Sequence, residues 1–125
     1  MAHELDGKWN IFIIEDESGN VVVNGSEPFI LKHDASNRLE KGSVHGTQDL
    51  TGSSVPDGKG GFDINISEEL KNGKHRTYLG KVLENNPGGK DRKVIGGLRQ
   101  KATLMAVKKQ MVAGQTDGVW VGTQP

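Results

Sequence analysis

The sequence predicts an all-β protein, an antiparallel up-and-down β-barrel of about eight strands forming a single domain over residues 1–125. Three observations carry that prediction. Clusters of Gly, Asn, Asp and Pro punctuate the chain at short intervals, as tight turns require. Between them lie short runs of Val, Ile, Leu and Phe that alternate with polar residues, the period of a half-buried strand. The first apolar stretch, Gly7-Lys8-Trp9-Asn10-Ile11-Phe12-Ile13-Ile14, has a late counterpart in Gly118-Val119-Trp120-Val121-Gly122, and the two hold the chain's only tryptophans. Each stretch follows an Asp-Gly pair and reads as a strand entered from a tight turn. An antiparallel sheet that curls until its edges meet makes its first and last strands neighbours and leaves no edge exposed. The two tryptophan strands are therefore expected to pair and close the barrel.

Taken in order, the turn signals fall at 16–20, Asn24-Gly25, 34–37, 56–61, Asn72-Gly73, 85–89 and 115–118. Val21 to Val23 reads as an edge or a continuation of the first hairpin. Pro28 opens the next strand, Phe29-Ile30-Leu31, at a position where a missing N–H donor is tolerated. The polar stretch 38–50, anchored by Leu39, Val44 and Leu50, reads as one or two exposed strands broken near Gly42. Phe62-Asp63-Ile64-Asn65-Ile66 alternates without a slip, which predicts Phe62, Ile64 and Ile66 facing inward. After the Asn72-Gly73 turn, the segment from Tyr78 to Leu83 should return beside it. Residues 102–113 admit two readings. A short helix would put Leu104, Val107, Lys108 and Met111 on one face with Gly114 as its cap, whereas a hairpin around Lys108-Lys109 would complete the strand count. Strand is preferred, because no helical pattern occurs elsewhere.

One pattern recurs: an apolar residue, one more residue, then glycine, at Val44-His45-Gly46, Leu50-Thr51-Gly52, Tyr78-Leu79-Gly80, Val94-Ile95-Gly96 and Trp120-Val121-Gly122. Glycine weakens a strand, so repetition inside strands points to bends, bulges or close approach of backbones. Small barrels need such corners.

Composition limits the functional classes. The chain has no cysteine, which removes disulfides, a thiolate nucleophile and cysteine zinc sites, and leaves either redox compartment open. The first residues carry no signal-peptide pattern and nothing reaches a membrane-spanning length, so the expected location is the cytoplasm, or outside the cell after signal removal. Net charge is zero, but residues 1–62 hold five basic and ten acidic side chains, and residues 63–125 hold eleven and six. The two halves should attract. A nucleic-acid face is disfavoured because no RNA-binding signature accompanies the basic half.

Candidate chemistry is sparse. The four histidines, His3, His33, His45 and His75, show no metal-ligand spacing, although His33-Asp34 and His45 could meet if their strands pair. Ser53-Ser54 lies in no nucleophile-elbow context, and 56–61 reads as a mobile hairpin loop without the Gly-Lys-Ser/Thr ending of a phosphate loop. Asn24-Gly25-Ser26 and Asn65-Ile66-Ser67 are glycosylation acceptors only on a eukaryotic secretory route. With no acid, base and activated nucleophile in one set, the chain reads as non-catalytic, without a cofactor or resident metal.

Gly7-Lys8-Trp9 on a first strand resembles the G-x-W signature of calycin barrels, the lipocalins and avidin-like proteins, and Leu50-Thr51-Gly52 and the closing Trp120 strand are similar in type and placement. In those families the tryptophan packs across one end of the barrel, often under an arginine from the last strand. Residues 119–124 hold no arginine here, and Arg99 stands earlier. The resemblance implies a small-ligand-binding barrel with the ligand at its open end, near Trp9, Tyr78 and Trp120. Two other classes stand beside it: a protein-interaction or inhibitor barrel acting through loops 55–61 or 85–90, and a carbohydrate-binding module. A homo-oligomer is expected if the sheet stays open, since its edges would need cover.

Overall fold

Eight strands follow one another around a closed antiparallel barrel: β1 (Gly7–Glu17), β2 (Asn20–Leu31), β3 (Gly42–Val44), β4 (Thr47–Pro56), β5 (Phe62–Glu69), β6 (His75–Asn85), β7 (Lys93–Met105) and β8 (Gln110–Thr123). The structure is a computed structural model and describes residues 3–17, 20–40, 42–44, 47–69, 75–89 and 92–105, then 110–125. Every strand pairs with its neighbours in sequence, and β8 returns to β1 from Asn10 opposite Thr123 to Ile14 opposite Val119. The two tryptophan strands thus close the barrel, and Trp120 stands opposite Ile13. Closure gives every strand a neighbour on each side, although β3 meets β2 only at Phe29 and Ile30 and β8 meets β1 only between Val119 and Thr123.

The alternation in β5 sends Phe62, Ile64, Ile66 and Glu68 inward, and β6 returns beside it with Tyr78 opposite Ile66. Leu5, Trp9, Ile11, Phe29, Leu31, Leu50, Ile95 and Trp120 complete the apolar interior. Asn72-Gly73, the turn expected between these strands, lies outside the described residues, as do His45, Gly46 and the Lys108-Lys109 pair.

The preferred strand reading of residues 102–113 holds in their described parts, the facing ends of β7 and β8, with Leu104 opposite Met111 and Ala102 opposite Ala113. Several other local readings change. Val21 to Val23 and Phe29 to Leu31 belong to one strand, β2, and Pro28 lies inside it opposite Asn10. Pro28 is tolerated there because β3 pairs with β2 only at Phe29 and Ile30. Two of the turn signals are β-bulges. Phe12 stands opposite both Gly25 and Ser26, and Arg99 opposite both Asp117 and Gly118, whose φ is +115°. Gly114 is likewise no helix cap; with Gln115 it forms a further bulge opposite Lys101. A bulge needs the same permissive backbone as a tight turn, so composition alone does not separate them. Ser53 and Ser54 lie in β4 rather than in a loop. Loop 57–61 is a tied turn, with Asp57 Oδ1 accepting from the N–H groups of Lys59 and Gly61.

The strand glycines have a steric cause. The Trp120 indole reaches from β8 across Gly97 of β7 to β6, where its Nε1–H donates to the Leu79 carbonyl at 3.1 Å. A Cβ on Gly80 would lie 2.7 Å from the indole and against the Gly96 carbonyl, and one on Gly97 would collide with the Leu79 carbonyl. Gly52 meets the Asn65 backbone in the same way. Because these obstacles are backbone, Gly97→Ala should cost about 1–3 kcal/mol in urea unfolding, whereas Leu83→Ala on the exposed wall should stay within about 0.5 kcal/mol. Trp9→Phe, at a side chain with no exposed surface, should also cost about 1–3 kcal/mol.

Candidate functional site

The interior changes character along the barrel axis. One end, where β1 begins and β8 finishes, is closed by residues 3–6, by the segment 32–40 and by loop 57–61. Leu5 is fully buried there, and its carbonyl accepts the Trp9 Nε1–H at 2.9 Å. Further along come Ile64, Ile66, Phe29, Tyr78 and Trp120, with Tyr78 edge-on to both other rings at 5.1 and 5.7 Å between centroids. Beyond this aromatic floor the next inward position of β5 is charged. Glu68 is 4% exposed and accepts a hydrogen bond from the Tyr78 hydroxyl at 3.1 Å. Arg99, 3% exposed, is the register partner of Tyr78 on β7, and Arg76 is that of Glu68 on β6.

This layer lies toward the end where β5 finishes and β6 begins, the end that also carries the β1–β2 and β7–β8 connections. Burial pushes the Tyr78 phenol far above its ordinary value of 10.0, and the negative charge of Glu68 adds to the rise. The Arg99 guanidinium, which also faces the phenol oxygen, pulls the other way. Buried ionisable groups cost several kcal/mol in desolvation unless each is partnered, so a layer of them inside a barrel is a functional candidate.

Trp9, Tyr78 and Trp120 all have no exposed surface. The structure brings Tyr78 and Trp120 together in the floor and places Trp9 under the closed end. Glu68 and Arg99 were not singled out for a site by sequence reasoning. Glu68 had a usable signal, because it continues the inward phase of Phe62, Ile64 and Ile66, and a charge in that phase must be buried. Arg99 had none: the apolar residue beside it, Leu98, is the one that alternation would turn inward, yet Leu98 is exposed and Arg99 is buried.

A second polar cluster lies at the closed end. His33 partners Asp6 rather than Asp34, its Nδ1 lying 2.8 Å from Asp6 Oδ1 and its Nε2 2.9 Å from Ser54 Oγ. His3 stacks on His33 with centroids 3.9 Å apart and planes at 20°. Carboxylate, imidazole and hydroxyl follow the order of an activated serine, but Ser54 has no exposed surface for a substrate to reach. His3, Asp6 and His33 also offer ligand atoms within 4.8 Å of one another. An imidazole holds a metal in its ring plane, and two nearly parallel planes 3.9 Å apart share no such point. The cluster therefore reads as a hydrogen-bonded cap.

On the outer wall, Val55, Leu79, Leu83 and Leu98 line a groove of about 600 Å³ over Gly80, Gly96 and Gly97, with the Asp63–Lys81 ion pair among its lining residues. Gly96 leaves part of the groove's floor without a side chain, where a Cβ would meet Leu83. Among the described residues no helix is long and apolar enough to cross a membrane. No family model matches the chain, and comparison with curated proteins and with solved structures returns no match.

Tyr78 is the only tyrosine, so tyrosinate absorbance reports this one group. With its folded value raised above the unfolded 10.0, Tyr78 adds stability that is complete below pH 10.0 and lost as pH rises past it. The expected result is no tyrosinate signal above pH 10.0 until the barrel unfolds, and Glu68→Gln should bring ionisation to lower pH.

Proposed function

We propose that the protein is a non-catalytic binding barrel that takes a small ligand in its interior, at the end away from the cap. The observation that carries this reading is the buried layer of Glu68, Tyr78 and Arg99 above an apolar floor. A barrel built only for stability would continue its apolar packing to that end, since a well-packed hydrophobic replacement for a buried ion group is often neutral or stabilising. Tyr78 and Trp120 supply an aromatic surface for the apolar part of a ligand, and Glu68 and Arg99 supply directional polar contacts. Trp9 belongs to the cap on this reading and leaves the ligand to the other two. The proposal treats the chain as a calycin-like barrel, supported by Trp9 on the first strand and by the β1–β8 pairing.

Anilinonaphthalene sulfonate, an amphipathic anion, serves as the test probe. Saturable binding of one probe per chain with quenching of tryptophan emission is expected. Arg99→Met should weaken it by about tenfold or more, near 1.4 kcal/mol, and Leu98→Ser on the outer groove should leave it unchanged. Binding lost through Leu98→Ser and kept in Arg99→Met would move the site to the wall and defeat the proposal.

A further inference from the structure

The cap is held by imidazoles whose ring nitrogens are all engaged. His3 Nδ1 accepts the Leu5 N–H at 3.0 Å, so its Nε2 carries the proton and donates to the Ser54 carbonyl at 2.8 Å. His33 donates from Nδ1 to Asp6 and accepts the Ser54 hydroxyl at Nε2, since Asp6 Oδ1 is an acceptor. Both rings are thus neutral in this arrangement, and neither has a free position for a second proton. On His3 that proton would face the Leu5 N–H, donor against donor. On His33 it would turn the buried Ser54 hydroxyl around.

We propose that the His3–His33 stack is an acid-sensitive latch: it holds residues 3–6 across the closed end of the barrel and lets them go when His33 takes up a second proton. The charges facing the stack are few. Asp6 comes from the same N-terminal segment and Asp34 from the segment after β2, while β4 contributes the neutral Ser54 and β5 the Phe62 ring, 4.8 Å from His3. Glu4 is turned to Lys93 of β7 at 3.8 Å. Asp6 lies against His33 at Nδ1, so a second proton goes to Nε2, where it breaks the bond the Ser54 hydroxyl now donates and places a charged ring 3.9 Å from the His3 ring. Release of His3 carries Leu5 with it, and the Leu5 carbonyl is the acceptor that fixes the Trp9 indole. The inference is independent of what the other end of the barrel binds.

The direction with pH is set by His33. Burial holds it below its ordinary 6.5, the Asp6 hydrogen bond offsets part of that, and His3 adds to the lowering. A folded value below the unfolded one means that closure is complete above pH 6.5 and is lost as pH falls through the folded value. Asp6 acts later. Burial alone would raise its carboxyl, but the hydrogen bonds from His33 and His3 hold it below 3.8.

Hydrogen exchange followed by NMR tests the latch in the whole chain, with exchange rates corrected for their intrinsic pH dependence. Between about pH 7.5 and about pH 5, protection of the Leu5 amide and the Trp9 indole N–H should fall by about tenfold or more while the Trp120 indole N–H keeps its protection. His33→Gln should remove this pH response while the Trp120 indole reports that the barrel persists, since Gln brings no titrating group to the stack. Equal loss of protection at both indoles, unchanged protection at Leu5 and Trp9 over that range, or a His33→Gln chain that still responds would each overturn the latch.

Discussion

The structure depends on the indole of Trp120 lying flat across its neighbouring strand. Reaching β6 from β8 requires that nothing stand on β7 or β6 beneath the ring, and Gly97 and Gly80 meet that requirement. The indole then satisfies its N–H on the Leu79 carbonyl and meets Tyr78 edge-on, a contact worth about 0.5–1.5 kcal/mol beyond the area it buries. A single side chain thereby ties three strands together, and its own strand pairs with β1.

The aromatic floor also divides the interior. On the capped side the Trp9 indole, Ser54 and the imidazoles each find a backbone or side-chain partner, and the Asp6 carboxylate is held by His33. On the other side the charged groups Glu68 and Arg99 are buried near one another, with Tyr78 between them as donor to the carboxyl. Such groups raise one another's stakes, because low dielectric strengthens each contact and penalises each loss. The hydrogen-bonded cap and the buried charged layer are thus kept apart by Phe29, Tyr78 and Trp120.

Most of the architecture was legible in the sequence because strand alternation and turn chemistry are local. Phe62, Ile64 and Ile66 point inward as their period requires, and the matching tryptophan strands meet. What the sequence hid was non-local. Asn24-Gly25 and Asp117-Gly118 look like turns, and only the length of the partner strand makes them bulges. The Asp6–His33–Ser54 chain joins residues far apart, brought together by the capped end rather than by any spacing. The charged layer was half visible, through the phase of Glu68, while the apolar Leu98 beside Arg99, which points outward, concealed its other half. The expected meeting of His33 with His45 falls on a residue outside those described.

Seven of the eight strand pairings join neighbours in sequence, and the eighth, β1 with β8, joins residues about 110 positions apart. The meander can therefore assemble by successive hairpins on their own fast timescale, each costing little loop entropy. Closure is the step that must wait for all of them. Until β8 reaches β1, both strands present unpaired backbone, and the Trp120 and Trp9 faces lack a complete surround. The seam that defines the finished barrel is for that reason its kinetic bottleneck, and the interval before it shuts is when the chain is most exposed to association with another like itself.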